Sequence, residues 1–217
     1  TTGTIDAANY NVGLGVDVFA ALTTGDTNIA IGFAALTSLT TGHANVALGY
    51  QAGDAMTTGY GNILIGESVG TAITSGNSNL AAGHGALTSL TTGNSNTMLG
   101  SLAGDAITSA SSNSGVGASC LGALTTGYNN HAQGASAMYS TTTGVENTAM
   151  GHQALYSNVG GNDNVAIGNN ALYTNTGSNN TAVGDQALFS NTSAEGNVAI
   201  GDNALYATTT SGDNVAV

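Results

Sequence analysis

The chain lacks lysine, arginine, proline and tryptophan altogether among its 217 residues. Its twelve acidic residues therefore give a net charge of −12 that no Lys or Arg opposes. Proteins bind nucleic acid by neutralising phosphates with cationic side chains, so we expect no nucleic-acid partner. An anionic membrane surface is disfavoured for the same reason. Since no apolar run reaches 18 residues, we also expect no membrane insertion.

Cysteine is nearly absent too, and the single Cys120 excludes an internal disulfide framework. There is no initiator methionine and no signal peptide, and the last residues stop partway through a repeat, so we expect a segment of a longer protein. Only 6% of the residues are charged, but 41% are apolar and recur at a fixed period. That periodicity is typical of a packed repeat fold rather than a disordered tract.

What is present is a repeat of 17 residues that reads approximately N-V-A-I-G-x-x-A-L-x-x-L-T-T-G-x-x. Repeat positions are counted here from its asparagine. The interval between asparagines is 17 everywhere except between Asn164 and Asn180, where it is 16. The asparagines of this column are Asn11, Asn28, Asn45, Asn62, Asn79, Asn96, Asn113, Asn130, Asn147, Asn164, Asn180, Asn197 and Asn214.

A unit of 17 residues is too short for a helical-hairpin repeat, which needs roughly 33 residues or more. Two glycines per unit with β-branched residues between them favour short strands and tight corners. The sequence therefore predicts an all-β parallel β-solenoid, or β-roll, with one repeat per coil and about 13 coils. At the usual strand spacing of about 4.8 Å, such a rod is about 60 Å long.

Each column of the repeat is then assigned a task. We expect the asparagines to form an internal amide ladder, and the glycine at position 5 to occupy a corner with positive φ or close backbone contact. Position 8 requires small side chains, and Cys120 in this column is interpreted as a buried small hydrophobe. We expect the column at position 4 to be core: Leu14, Ile31, Leu48, Ile65, Ala82, Leu99, Val116, Gln133, Met150, Ile167, Val183 and Ile200. The small residues at position 3 would allow close approach of a neighbouring chain: Ala30, Ala47, Ala81, Ala132, Ala149, Ala166, Ala182 and Ala199.

The repeats fall into two continuous zones, 1–129 and 130–217. The first has apolar residues at position 12 and paired threonines after them, and the second has polar residues at position 12. The second zone also carries an aromatic column at position 10: Tyr139, Tyr156, Tyr173, Phe189 and Tyr206. An exposed aromatic stripe is typical of a contact surface, and aromatic faces suit sugar rings, so these residues are candidate ligand-binding residues. The alternative is a packing ladder between coils or chains.

A threonine column at position 13 is the second candidate surface. Regular threonine rows on a flat solenoid are typical of ice-binding proteins, although the threonines here are adjacent rather than alternating, so two rows cannot share one strand face. The alternative is threonine as a β-former beside a glycine corner. The column includes Thr23, Thr40, Thr57, Thr74, Thr91, Thr108, Thr125 and Thr142.

The sequence contains few patterns typical of metal or catalytic sites. No His-x-His or His-x-x-x-His spacing exists, so no metal site is predicted. Asp185 and Asp202 occupy equivalent positions in neighbouring coils and would repel without a cation or proton, which leaves calcium as the one ion to consider and no other cofactor. No nucleophile or carboxylate pair stands in a recognisable catalytic context, so we predict no catalytic residues and no enzyme activity.

The stretch NVAIGNNALYTNTGSNNTAVGDQALFSNT, from Asn164 to Thr192, resembles the head repeats of trimeric autotransporter adhesins. The full unit resembles even more closely the repeats of phage and bacterial tail-fibre proteins. The resemblance covers nearly the whole chain and is strongest from Asn147 onward. It implies a left-handed, homotrimeric β-solenoid on a cell surface or virion, outside the cell, that contacts a host or a surface receptor.

The sequence thus predicts a structural or adhesive fibre segment, with an ice-binding solenoid and a carbohydrate-binding solenoid as alternatives. A cell-surface or glycan receptor would be its partner. His131 and Gln133 stand where neighbouring coils place Val, Thr or Ile. Around a three-fold axis they would form a polar layer able to hold an ion or water, whereas in a single chain they would be a polar defect facing solvent.

Overall fold

Each coil begins with a short strand that directly follows the repeat asparagine. The structure is a computed structural model, and it describes residues 10–217. Its strands are β1 (Val12–Leu14), β2 (Ile29–Ile31), β3 (Val46–Leu48), β4 (Ile63–Ile65), β5 (Leu80–Ala82), β6 (Thr97–Leu99), β7 (Ser114–Val116), β8 (His131–Gln133), β9 (Thr148–Met150), β10 (Val165–Ile167), β11 (Thr181–Val183), β12 (Val198–Ile200) and β13 (Val215–Ala216).

The strands form one parallel sheet in chain order, each pairing with the next. Backbone bonds connect adjacent strands: the Ile29 N–H donates to Asn45 O at 2.8 Å, and the Gly32 N–H donates to Leu14 O at 2.9 Å. Residues at equivalent repeat positions face each other throughout, as Val46 faces Ile63. The predicted all-β parallel solenoid is confirmed, with thirteen strands and about twelve complete turns in residues 10–217.

The glycine at position 5 turns the chain out of each strand. Gly32 has a φ of 140°, and a Cβ atom there would overlap the carbonyl of Gly49 in the next coil. Both reasons for requiring glycine, positive φ and close backbone approach, therefore apply at this corner.

The asparagines form a continuous amide ladder inside the solenoid. Asn45 is fully buried; its Nδ2 donates to Asn28 Oδ1 at 3.0 Å and to Gly59 O at 2.8 Å, and its backbone N–H also donates to Asn28 Oδ1 at 3.0 Å. Every asparagine of the column from Asn28 to Asn214 donates to the one a coil earlier. Because an unpaired buried amide is costly, the ladder joins successive coils in one register.

The apolar interior lies at positions 3, 8, 9 and 12. Position 8 is the small column, where Cys120 is buried, and burial raises the pKa of its thiol to about 12. Position 9 supplies large side chains such as Leu36 and Leu121, both fully buried, although their φ values are near +50°. Sequence reasoning had not assigned a role to this column.

Two expectations about the strands are wrong. The position 4 column, predicted as core, points outward: Leu14 is 64% exposed and Ile65 is 41% exposed. The position 3 alanines, predicted to meet a neighbouring chain, are the inward ones, and Ala47 is fully buried. The reason is strand alternation, because only the middle residue of each three-residue strand shares the inward side with the buried asparagine two positions earlier.

The sheet runs without a break across the predicted zone boundary, as β7 pairs with β8 and β8 with β9. Residues 1–9 of the first zone lie outside the described residues. At position 12 the interior changes from Leu124 to buried Thr141 and then Asn158. The Asn158 Nδ2 donates to Gly161 O at 2.8 Å, while its Oδ1 is buried without a partner. The second zone thus has a partly polar interior.

The coil of 16 residues loses its residue at the threonine corner. Asn164 bonds Gly177 O thirteen residues on, whereas Asn147 bonds Gly161 O fourteen residues on. The missing residue therefore lies between positions 12 and 15. The strand register is unchanged, since Val165 still faces Thr181.

Candidate functional site

The most extensive surface feature is the outer side of the sheet, here called the strand face and defined by the side chains at positions 2 and 4. These side chains are exposed or half-buried, while the residue between them points inward. Typical pairs are Ile29 with Ile31 and Ile63 with Ile65, all exposed. Because the coils are in register, the two rows run straight along the rod and form one strip that is mainly apolar. Position 4 is apolar except at Gln133, and position 2 is aliphatic except at Thr97, Ser114, His131, Thr148 and Thr181.

The strand face is large and carries no carboxylate. Twelve strand spacings of about 4.8 Å and a width of three residues at about 3.3 Å give on the order of 600 Å². That area lies at the top of the range for the largest apolar patch of an ordinary monomer, about 300–600 Å². Of the twelve acidic residues, Asp6 lies outside the described part and none of the others is on this face. The apolar strip is therefore kept free of the charge that covers other surfaces.

One coil interrupts both rows of the strip. His131 and Gln133, the outward residues of β8, are both exposed. They are the only pair in residues 10–217 in which positions 2 and 4 of one strand are both polar. Ser114 and Thr148 flank His131 on the neighbouring strands, and a shallow depression of about 190 Å³ lies among these side chains.

The aromatic column at position 10 is a stack of parallel rings on another side of the solenoid. Ring centroids are 5.4 Å apart for Tyr139 and Tyr156, and 5.0 Å for Tyr156 and Tyr173, with interplanar angles of 13° and 8°. Phe189 and Tyr206 continue the stack at 5.1 Å per step. The rings cover each other's faces, so within the stack they present edges to solvent, and the glycan-binding hypothesis stays a prediction.

The threonine column at position 13 uses its hydroxyls within the chain. The Thr40 hydroxyl donates to Thr57 O at 3.0 Å, and the Thr57 hydroxyl donates to Thr74 O at 3.1 Å. The same bond recurs from Thr23 to Thr142. These donors stabilise coil stacking and are not free to order water, while the second row, including Thr41 and Thr58, is exposed. Ice binding stays a prediction.

The carboxylates are dispersed over the described surface. Asn169 bridges two of its polar neighbours in one column. Its Oδ1 accepts from the Nδ1–H of His152 at 3.2 Å, and its Nδ2 donates to Asp185 Oδ1 at 3.0 Å. Residues 10–217 contain no cluster of three or more His, Cys, Asp or Glu side chains able to hold a metal ion. The calcium hypothesis for Asp185 and Asp202 therefore gains no further ligand.

Comparison with known proteins found no matching family model, no matching curated protein and no matching solved structure. Across the described residues, no helix is long and apolar enough to cross a membrane. The strand face is the feature with the clearest physical demand for a partner, and it was missed because its position 4 row was assigned to the core and its position 2 row was given no role.

Proposed function

We propose that this chain is a structural or adhesive segment of an extracellular fibre on a cell surface or virion, and that it packs as a homotrimer through the strand face. Its task is mechanical and adhesive, not catalytic. The exposed apolar strip along the whole rod is the observation that carries the proposal. The resemblance of the repeats to tail-fibre and adhesin repeats supports the location and the number of copies.

A second copy of the same chain fits the strand face better than a different partner. The rows repeat at the coil spacing over the full length of the sheet, and a parallel copy repeats at the same spacing. A chain with a net charge of −12 repels its own copies, so a self-contact must avoid the carboxylates, and this face does. Covering it removes an apolar strip of about 600 Å² per chain from water, close to the roughly 800 Å² per partner of stable interfaces.

Light scattering coupled to size-exclusion chromatography tests the proposal. We expect a particle of 63 kDa, three times the 21.0 kDa of one chain. The double variant Ile65→Glu with Ile200→Glu places charge in the strip of every copy and should give monomers. The matched control, Thr58→Glu with Thr143→Glu, adds the same charge at exposed positions outside the face and should stay trimeric. A folded wild-type monomer at micromolar concentration would refute the trimer.

A further inference from the structure

We propose that His131 of each copy pairs with Gln133 of the next copy, so that three imidazole–amide hydrogen bonds close a ring inside the trimer and fix its axial register. The inference rests on the trimer proposed above and adds a specificity-determining layer to it. It starts from the β8 layer, where both rows of the strand face are polar.

The geometry follows from three-fold packing. When three parallel solenoids turn the same face to a common axis, the three strands of one layer form the sides of a triangle, all running in the same sense. The last outward residue of one strand then adjoins the first outward residue of the next. In the β8 layer these residues are Gln133 and His131. The depression of about 190 Å³ beside them leaves room for the neighbouring copy's side chain.

The chemistry of the two groups is complementary. A neutral imidazole offers one donor and one acceptor, and a glutamine amide offers both as well, so the pair is satisfied without a charge. Side chains near the contact on the same face, Ser114, Thr148 and Met150, carry no charge. In the described residues no other layer has a polar residue at both places, so a histidine finds an amide partner only when the copies are level.

A slipped trimer loses these bonds. Shifting one copy by a single coil places His131 opposite Val116 or Met150, the position 4 residues of the adjoining layers. Buried polar groups without partners then oppose the slip, whereas the position 4 row is otherwise apolar in every layer and resists it weakly. A single polar layer in an apolar interface is an established way to specify register, as in coiled coils.

A double-mutant cycle tests the ring, using wild type, His131→Val, Gln133→Val and the double variant, with trimer dissociation constants from analytical ultracentrifugation. Each single variant leaves one group unpaired and should weaken assembly about tenfold or more relative to the double variant. The double variant should assemble at least as tightly as wild type. The exchanged variant, His131→Gln with Gln133→His, should keep the coupling.

Register is measured separately with a spin label on Thr126→Cys, an exposed site outside the strand face. Cys120 stays unlabelled because it is buried and its pKa is raised to about 12. Wild type should give one narrow inter-label distance, and the double Val variant should give a broader distribution. A trimer with additive single variants and unchanged distances would overturn the ring alone. A monomeric wild type would overturn both the ring and the proposed function.

Discussion

Thr141 and Thr142 are adjacent in sequence but have opposite environments. Thr141 is fully buried at position 12, and its hydroxyl has no hydrogen-bond partner. The Thr142 hydroxyl, at the surface, donates to Val159 O at 3.0 Å. A buried hydroxyl without a partner costs stability, whereas a bonded one contributes modestly.

Replacing each hydroxyl by a methyl group should therefore change stability in opposite directions. Thr141→Val removes the unpaired buried hydroxyl and should raise the free energy of unfolding by about 1–2 kcal/mol. Thr142→Val loses a partly exposed bond and should lower it by about 0.5–1 kcal/mol. Urea denaturation of the two variants beside wild type measures both changes. Equal effects of the same sign would contradict this account of position 12.

The residues that could be predicted from sequence are those whose role depends on local chemistry. Gly32 and its column require positive φ, and Asn45 and its column repeat too regularly for a surface role. Cys120 was expected to be buried from the small residues around it, and it is. The unpaired Thr141 hydroxyl could not be predicted, because pairing depends on the coil above and below.

At the scale of the strand, the predicted location of each strand is right, but the side chains predicted to face the core face outward. A three-residue strand has two possible facings, and Ile31 or Leu48 in the core looks more favourable than Ala47 because they bury more apolar area. The asparagine at position 1 determines which way the strand faces. Once it is placed inside, alternation puts position 3 inside and positions 2 and 4 outside. The leucines at positions 9 and 12 already fill the interior.

Large and small side chains also compensate for each other inside the solenoid. Leu64 stands where most coils have alanine, and Gly70 at position 9 stands where most have a large residue. A Cβ atom on Gly70 would lie 3.1 Å from Leu64 Cδ2 and 2.8 Å from Ile73 Cδ1. The next coil has the other combination, in which Ala81 accompanies Leu87 and Leu90.

This exchange predicts a rescue. Gly70→Leu alone should destabilise the chain by about 1–3 kcal/mol, because Leu64 and Ile73 occupy the space. The triple variant Leu64→Ala, Gly70→Leu and Ile73→Leu recreates the combination of the next coil and should recover part of the loss, the remainder being the space that Leu64 fills beside Gly53. Midpoints of guanidinium unfolding compare the two variants. A triple variant no more stable than Gly70→Leu would show that the columns are not coupled.

At the scale of the whole molecule, stability is opposed by charge of a single sign. All twelve carboxylates repel one another at neutral pH, with no Lys or Arg to offset them. Burial also raises the pKa of Asp54 and of Asp105, despite opposing backbone hydrogen bonds. A carboxyl whose pKa is higher in the folded than in the unfolded state favours folding more as it becomes protonated.

Stability should therefore increase as the pH falls through the raised pKa of these carboxyls towards their ordinary value of 3.8. Asp54→Asn removes one of them and should be more stable than wild type at pH 7, with a smaller gain on acidification. Glu67→Gln is the control, because it removes an exposed carboxylate of the same charge. Thermal unfolding midpoints at pH 7, 6, 5 and 4 measure the trend. A wild-type midpoint that falls over this range would contradict it.

The repeat made the solenoid, the coil length and the sheet order predictable, since every coil solves the same packing problem. The contact surfaces were less predictable. The threonine hydroxyls of Thr40 and Thr57 turned out to be donors between coils, and the rings of Tyr156 and Tyr173 cover each other's faces. Both facts depend on the distance between coils, which cannot be derived from the sequence of a single repeat.

The coil from Asn164 to Asn179 has lost a residue at the threonine corner while its strand, ladder and interior keep their register. The number of residues at that corner can therefore change without changing the rest of the coil. We expect the fold to accommodate inserted residues there, as it accommodates the deleted one. A foreign peptide inserted between Thr142 and Thr143 would project sideways from the rod at a known height. The same corner in other coils would set the spacing between several such peptides in steps of about 4.8 Å. The solenoid could therefore serve as a scaffold that displays inserted peptides at fixed, selectable spacings.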